Sequence, residues 1–342
     1  MEFSNVVMWA GFMLAAYSVV GNDVIQTLGT FLTSNEKRLP WYVLWLYASV
    51  ILSAVLVIGY LQNDISYGRL AKFEPPEHYD WYYLLPPIIL LLITRIGIPV
   101  STTFMILTLF SLSKVPTEAS ELVGSVFNKD QVLGGMVQKS IMGYLIAFIL
   151  GLSIYSAVSR SVEKRFIEST PDRNRYLVWT VLQWFSTGWL WSQWLVQDLA
   201  NIYIYLNAGK QLNHSDFLTS LFVILSLLGF IFYTKGGAIQ DVVRKKTNTA
   251  DIRSATIIDF LYGLVLYVFK DDYFGLWGGK LPMSTTWVFV GLLAGREIAI
   301  RFMLAGRVSK KIQRMVFADL GKIFLGLVIS ILLVYFIKIL GS

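Results

Sequence analysis

Ten blocks of apolar sequence, most of them about as long as a lipid hydrocarbon core is thick, leave this chain few ways to fold. They lie near 6–34, 41–61, 82–95, 98–113, 131–158, 177–207, 216–234, 255–270, 282–300 and 318–340. A helix that crosses a bilayer needs roughly 20 mostly apolar residues. Lipid offers no partner to an unpaired backbone group, so blocks of this kind are expected to be helical. The expected fold is an all-α polytopic membrane protein. Blocks 82–95 and 98–113 are short and close together, so they read as a re-entrant hairpin or as helices broken at mid-membrane. Whether 82–113 and its counterpart 270–300 cross completely is left open.

Composition narrows the chemistry. Only 15% of the 342 residues are charged and 55% are hydrophobic, whereas a soluble domain carries about 25% charged residues. Zero cysteines remove thiolate metal sites, cysteine nucleophiles and disulfides. Two histidines, His78 and His214, cannot assemble a histidine zinc site. Glu2 is the only charge before the first block. The positive flank of a cleavable signal is therefore missing, and 6–34 is expected to stay as a first span.

The net charge of +7 is a matter of topology. Lys and Arg gather at 35–40, 159–176, 235–254 and 296–317, including Arg160, Lys164, Arg165, Arg244, Lys245, Lys246, Arg296, Arg301 and Arg307. The alternate connections hold few bases, among them Arg69 and Lys114, offset by acids such as Asp64, Asp80, Asp271 and Asp272. Basic short loops face the cytoplasm, which places both termini outside in a multi-pass plasma (inner) membrane protein. No loop is long enough to fold into a basic face for nucleic acid.

The two halves repeat. Gly21-Asn22-Asp23-Val24 in the first block matches Gln197-Asp198-Leu199-Ala200-Asn201 in the sixth, with a step of 175 from Asp23 to Asp198. Pro99-Val100-Ser101-Thr102-Thr103 matches Pro282-Met283-Ser284-Thr285-Thr286, a step of 183. Five segments per half is an odd number, so the second half starts from the opposite side, as in inverted-topology transporters. The expected organisation is a first transmembrane repeat over 1–158, a cytoplasmic linker over 159–176 and a second, inverted repeat over 177–342.

Asp23 and Asp198 lie in apolar surroundings, where an unneutralised carboxylate costs roughly 2.5–3.5 kcal/mol on insertion scales. Asn22, Gln26, Gln197 and Asn201 add neutral oxygens, so the six residues read as a cation site suited to sodium. Gly21 and Gly29 are expected to let the helix break there. Ser101, Thr102, Thr103, Ser284, Thr285 and Thr286 begin helices, where hydroxyls, free N–H groups and the positive dipole end favour an anion. The plain alternatives are simple N-capping by Ser and Thr and aspartates bonded to local backbone. The repetition favours the ligand-binding reading, with Asp23 and Asp198 shared between cation and anion.

At these motifs the chain resembles the inorganic phosphate transporter (PiT) family, which includes sodium–phosphate symporters and sulfate permeases. The resemblance rests on short motifs in both halves. It implies import of inorganic phosphate coupled to sodium by alternating access, with sodium at Asn22, Asp23, Asp198 and Asn201 and no organic cofactor. The pattern departs in four places: Ile25-Gln26 stands where Ala-Asn is typical, Gln197 where Asn is, and Phe104 and Trp287 where each S-T-T is followed by His. These departures keep sulfate or another oxyanion, and protons as the coupling ion, as alternatives. An intramembrane enzyme is a remote reading, because neither G-x-G-D nor G-x-S-x-G occurs; a passive channel would not need the paired acids. Partners are the oxyanion and the bilayer, and a homodimer is left open.

Among the other intramembrane charges, Arg95 is expected to snorkel. Lys139 is expected to pair with Asp259, or to hold a carboxylate such as Asp23. Trp184, Trp189, Trp191 and Trp194 are expected mainly to pack around the second Asp motif.

Overall fold

In a computed structural model, the described residues are 2–95, 100–112, 119–158, 166, 173–235, 251–273, 275, 279–305 and 310–341. Helices dominate. They are α1 (Glu2–Val19), α2 (Ile25–Asn35), α3 (Trp41–Leu61), α4 (Leu85–Arg95), α5 (Thr102–Ser111), α6 (Ala119–Phe127) and α7 (Val132–Val158). The second half supplies α8 (Arg173–Asp198), α9 (Ala200–Tyr203), α10 (His214–Tyr233), α11 (Ile252–Lys270), α12 (Thr285–Ala305) and α13 (Lys310–Gly341). Among the described residues the extended pairing is a single bridge, Asp64 to Lys210.

Six helical stretches among the described residues are long and apolar enough to cross a membrane: Glu2–Val24, Trp41–Leu61, Val132–Ala157, His214–Tyr233, Ile252–Lys270 and Gln313–Ile337. The chain is a membrane protein on this evidence. Its surface agrees, because Val181, Phe185, Phe222 and Leu332 are exposed while Asn22, Asp23, Gln183, Asp198 and Asn201 are buried. That inversion suits lipid as the solvent, where apolar side chains face out and polar ones must find partners inside.

The remaining segments differ from a uniform set of spans. Helices α4 and α5 have 11 and 10 residues. At 1.5 Å per residue each covers about half of a 30 Å core, so neither crosses alone. Helices α8 and α12 are long but carry polar residues such as Gln193, Gln197, Arg296 and Glu297. Helix α12 continues to Ala305, so Arg296 and Arg301 are helical residues, although the sequence suggests a loop there. Arg296 is buried, with its guanidinium 5.3 Å from the centre of the Tyr155 ring and 3.1 Å from Glu297 Oε1. Helix α8 starts inside the expected linker. Pro99, Lys114, Arg160, Lys164, Arg165, Arg244, Lys245, Lys246 and Arg307 lie outside the described residues.

Packing pairs α7 with α12, α8 with α11, α3 with α10, α5 with α13 and α1 with α4. The α7–α12 seam is set by small residues. A Cβ at Gly295 would sit 2.2 Å from the Phe148 carbonyl oxygen, and one at Gly291 2.5 Å from that of Tyr144. Close backbone approach of this kind gives membrane helices van der Waals contact that larger side chains would prevent. The α3–α10 pair is tied by Trp45, whose indole N–H donates to the Leu225 carbonyl at 3.1 Å.

Candidate functional site

Both acidic motifs sit where regular α-helical bonding is interrupted. Val20–Val24 forms one π-helical turn between α1 and α2. Asp198 closes α8, Leu199 is a turn, and α9 begins at Ala200. The expectation of a helix broken at Gly21 and Gly29 is corrected here. Gly21 lies inside the π turn and Gly29 inside α2. A π turn widens the helix and changes where side chains aim without the cost of an open end.

The serines of the two S-T-T strings are caps. Ser101 Oγ accepts from the Phe104 N–H at 3.2 Å and Ser284 Oγ from the Trp287 N–H at 3.3 Å. Each therefore fixes the start of its helix, α5 or α12. The threonines instead turn to the interior. Thr102 donates to Asp23 Oδ2, and Thr103 Oγ1 lies 3.4 Å from Asp198 Oδ1 and 3.2 Å from the Met283 carbonyl. Thr286 Oγ1 donates to the Val100 carbonyl at 3.3 Å. The Thr285 hydroxyl faces Asp198, and its carbonyl accepts from the Tyr262 hydroxyl at 3.0 Å. The N-terminal ends of α5 and α12 thus meet.

Asn201 joins the halves. Its Nδ2 lies 2.8 Å from Asp198 Oδ1, 3.1 Å from Thr102 Oγ1 and 3.2 Å from Thr103 Oγ1. Asp23, Thr102, Asn201 and Asp198 therefore form one continuous polar chain. On the first side, Asn22 Nδ2 donates to Asp23 Oδ1 at 2.6 Å and to the Val100 carbonyl at 2.8 Å. Gln26 Nε2 lies 3.3 Å from the Asn22 carbonyl and 3.5 Å from Asp23 Oδ1. Gln197 Nε2 donates to the Leu266 carbonyl at 3.1 Å.

Each of these amides spends its N–H group and leaves its oxygen over. Asn22 Oδ1, Gln26 Oε1, Gln197 Oε1, Asp198 Oδ2 and Asn201 Oδ1 are buried and accept no hydrogen bond. All five belong to residues that are 3% exposed or less. A buried acceptor without a partner costs about 1–3 kcal/mol, so five in one region is a collected cost. Oxygen lone pairs of this type suit hard cations, not the soft or borderline metals. Among the described residues, no three of His, Cys, Asp and Glu gather as a metal cluster.

Phe104 and Trp287, which follow the two S-T-T strings, are buried and lie with ring centres 5.4 Å apart. An apolar ring pair thus occupies the seam between the two helix starts. Trp191 and Trp194 stack at 5.0 Å, and Trp191 donates to the Ala48 carbonyl at 2.9 Å. Trp184 packs on Phe31 at 5.2 Å. Arg95 is exposed.

The expected Lys139–Asp259 pair is absent. Lys139 Nζ donates to the carbonyls of Leu281 at 2.9 Å and Gly279 at 3.4 Å. Asp259 accepts from Thr30 and Thr187, both at 2.6 Å. Asp259 is met by two hydroxyls and Lys139 by backbone carbonyls. Thr30 lies seven residues after Asp23, and Thr187 eleven before Asp198. Two and three helical turns put these threonines on the same faces as the acidic motifs, a register visible in the sequence. Arg69, a loop base by sequence, is 1% exposed with no hydrogen bond to any of its side-chain nitrogens.

Compared with known proteins, the chain matches no family model, no curated protein and no solved structure.

Proposed function

We propose that this chain is a secondary active transporter that imports a tetrahedral oxyanion, inorganic phosphate in the first instance, coupled to sodium. The single observation that carries the reading is the set of five unpartnered buried oxygens around Asp23 and Asp198, beside the joined N-terminal ends of α5 and α12. Cations at those oxygens and carboxylates would relieve both the buried charge and the missing bonds. In this reading the site comprises Asn22, Asp23, Gln26, Gln197, Asp198 and Asn201 for the cation. Ser101, Thr102, Thr103, Ser284, Thr285 and Thr286 serve the anion.

Coupling follows from the hydroxyl protons. Thr102 and Thr103 direct theirs at Asp23, Asp198 and the Met283 carbonyl. A cation that takes over the carboxylates frees these donors, which then turn to an oxyanion. Neither ligand binds well alone, because the anion needs the donors and the cation needs its charge balanced. Alternating access would carry both across as one half rocks against the other.

The reading of two inverted repeats draws support from matched pairings. Helix α1 packs on α4 as α8 does on α11, and α5 packs on α13 as α12 does on α7. Short α4 and α5 suit a hairpin that enters without crossing. Both termini outside remains the orientation favoured by the basic loops.

The test is uptake of labelled phosphate into proteoliposomes under an inward sodium gradient, with sulfate as competitor. Sodium-dependent phosphate uptake is expected. Uptake driven only by a pH step would shift the coupling ion to protons, a reading favoured by two buried carboxylates close enough to interact. No uptake of phosphate or sulfate under either gradient would falsify the transporter assignment.

A further inference from the structure

Arg69 lies in the connection between α3 and α4, held from both sides. Asp64 Oδ2 accepts from the Gly68 N–H at 2.7 Å, and Asp64 Oδ1 accepts from the Ser66 N–H at 3.0 Å and its hydroxyl at 2.6 Å. The Ile65 N–H donates to the Gly209 carbonyl at 3.0 Å. Leu70, next to Arg69, is fully buried. The turn is thus rigid and docked on 207–210, which fixes where Arg69 projects.

That projection is inward, and its guanidinium has no hydrogen-bond partner. A buried unpaired charge is costly. Arg69 stays cationic: burial lowers its pKa only to about 10, with Asp271 and Asp198 acting to hold the proton. The acids on the neighbouring connection already have partners. Asp271 lies 3.4 Å from Lys280 Nζ and 3.8 Å from Lys270 Nζ, and Asp272 accepts from the Gly279 N–H at 2.9 Å. A second buried basic side chain, Lys139, lies within electrostatic reach of Arg69. It is anchored on the carbonyls of Leu281 and Gly279, in the approach to α12 and its threonines.

We propose that Arg69 forms an oxyanion docking site at the end of the protein that carries the 62–80 connection, on the Asp198 side of the threonine cluster. The planar fork of a guanidinium presents parallel N–H pairs that match two oxygens of a phosphate or sulfate. In the transport reading, on which only this consequence rests, the site concentrates the anion before the threonine hydroxyls are freed.

The test uses the purified full-length chain in sodium-free detergent solution, with thermal unfolding followed by tryptophan fluorescence. Phosphate and sulfate are compared with chloride at matched ionic strength. Wild type is expected to gain stability with phosphate and sulfate beyond chloride. Arg69→Gln is expected to lose that gain. Arg69→Lys should bind about tenfold more weakly, since it retains charge without the fork. If Arg69→Gln does not fold, Arg69→Lys decides, and an unchanged apparent Kd overturns the site. A wild type indifferent to both oxyanions also overturns it. So does an equal loss of Tm in Arg69→Gln and Asp271→Asn without any anion response, which would make Arg69 a structural partner of Asp271. Sodium-driven uptake is measured separately. Uptake with an intact anion response in Arg69→Gln removes the docking site alone, while anion stabilisation without uptake removes the transport reading alone.

Discussion

Thr103 donates to the Met283 carbonyl at 3.2 Å, and the position 183 residues on repeats the bond in reverse: Thr286 donates to the Val100 carbonyl at 3.3 Å. Each helix start is thus closed by the second threonine of the other. Removing the Thr103 hydroxyl takes the side-chain donor from the buried Met283 carbonyl, at about 1–3 kcal/mol, whereas the Val100 carbonyl keeps Asn22 Nδ2 at 2.8 Å when Thr286 is lost. Thr103→Val is expected to cost more than Thr286→Val, because Thr103 also serves Asp198 and Asn201. Thermal unfolding of both variants and of the double variant checks this. Strict additivity would show that the two bonds do not act as one joint.

Asp198 has one oxygen bonded to Asn201 and Thr103 and the other unpartnered. Asp198→Asn keeps an acceptor for those donors, so the protein should elute and unfold as wild type. Sodium-dependent phosphate uptake should fall to the sodium-independent level, with apparent sodium affinity weakened about tenfold or more. Asp23→Asn should lose sodium dependence as well and also lose stability, because both of its oxygens accept bonds. Normal sodium-driven uptake in both variants would remove the acids from the coupling site.

Much of this was legible before any coordinates. The apolar blocks placed the long helices because lipid makes length and hydropathy decisive, and the twice-occurring motifs marked residues that do come together. Other features were hidden for physical reasons. A π turn and a helix break look alike in a Gly-Asn-Asp string, since both need only a locally disturbed helix. Lys139 and Asp259 read as partners by sequence because each is a charge in an apolar run. Hydropathy cannot register that threonines two and three turns from the acidic motifs serve Asp259, or that bare carbonyls at Gly279 and Leu281 serve Lys139. Arg69 was counted as a loop charge because its burial comes from the docking of its turn on residues far along the chain. Helix α12 ran past its expected end because Arg296 is accommodated against Tyr155.

The α7–α12 seam predicts which glycines are intolerant. Gly295→Ala puts a methyl group 2.2 Å from the Phe148 carbonyl oxygen, in backbone that cannot move aside cheaply. The helices must separate, at a cost of about 1–3 kcal/mol. Gly321→Ala, on α13, meets nothing within 4 Å and should be neutral or stabilising by about 0.5–1 kcal/mol through helix propensity. Thermal unfolding in detergent compares them, and an equal response would mean that the seam is looser than the packing indicates.

Asp259 offers the control for the whole electrostatic argument, because it is an equally buried acid with both oxygens served by hydroxyls. Among the described residues, each of its oxygens already accepts from a threonine hydroxyl. Asp259→Asn keeps one acceptor and offers the other hydroxyl an N–H to receive, so a modest loss of about 1 kcal/mol is expected. Asp259→Leu strands both threonine protons and should cost about 2–4 kcal/mol. Sodium dependence of uptake should survive Asp259→Asn, in contrast to Asp198→Asn. Measuring uptake against sodium concentration for the two variants side by side separates an acid that binds the coupling ion from one that ties α2, α8 and α11 together. Loss of sodium dependence in Asp259→Asn alone would move the cation site from the acidic motifs to the Thr30–Asp259–Thr187 cluster.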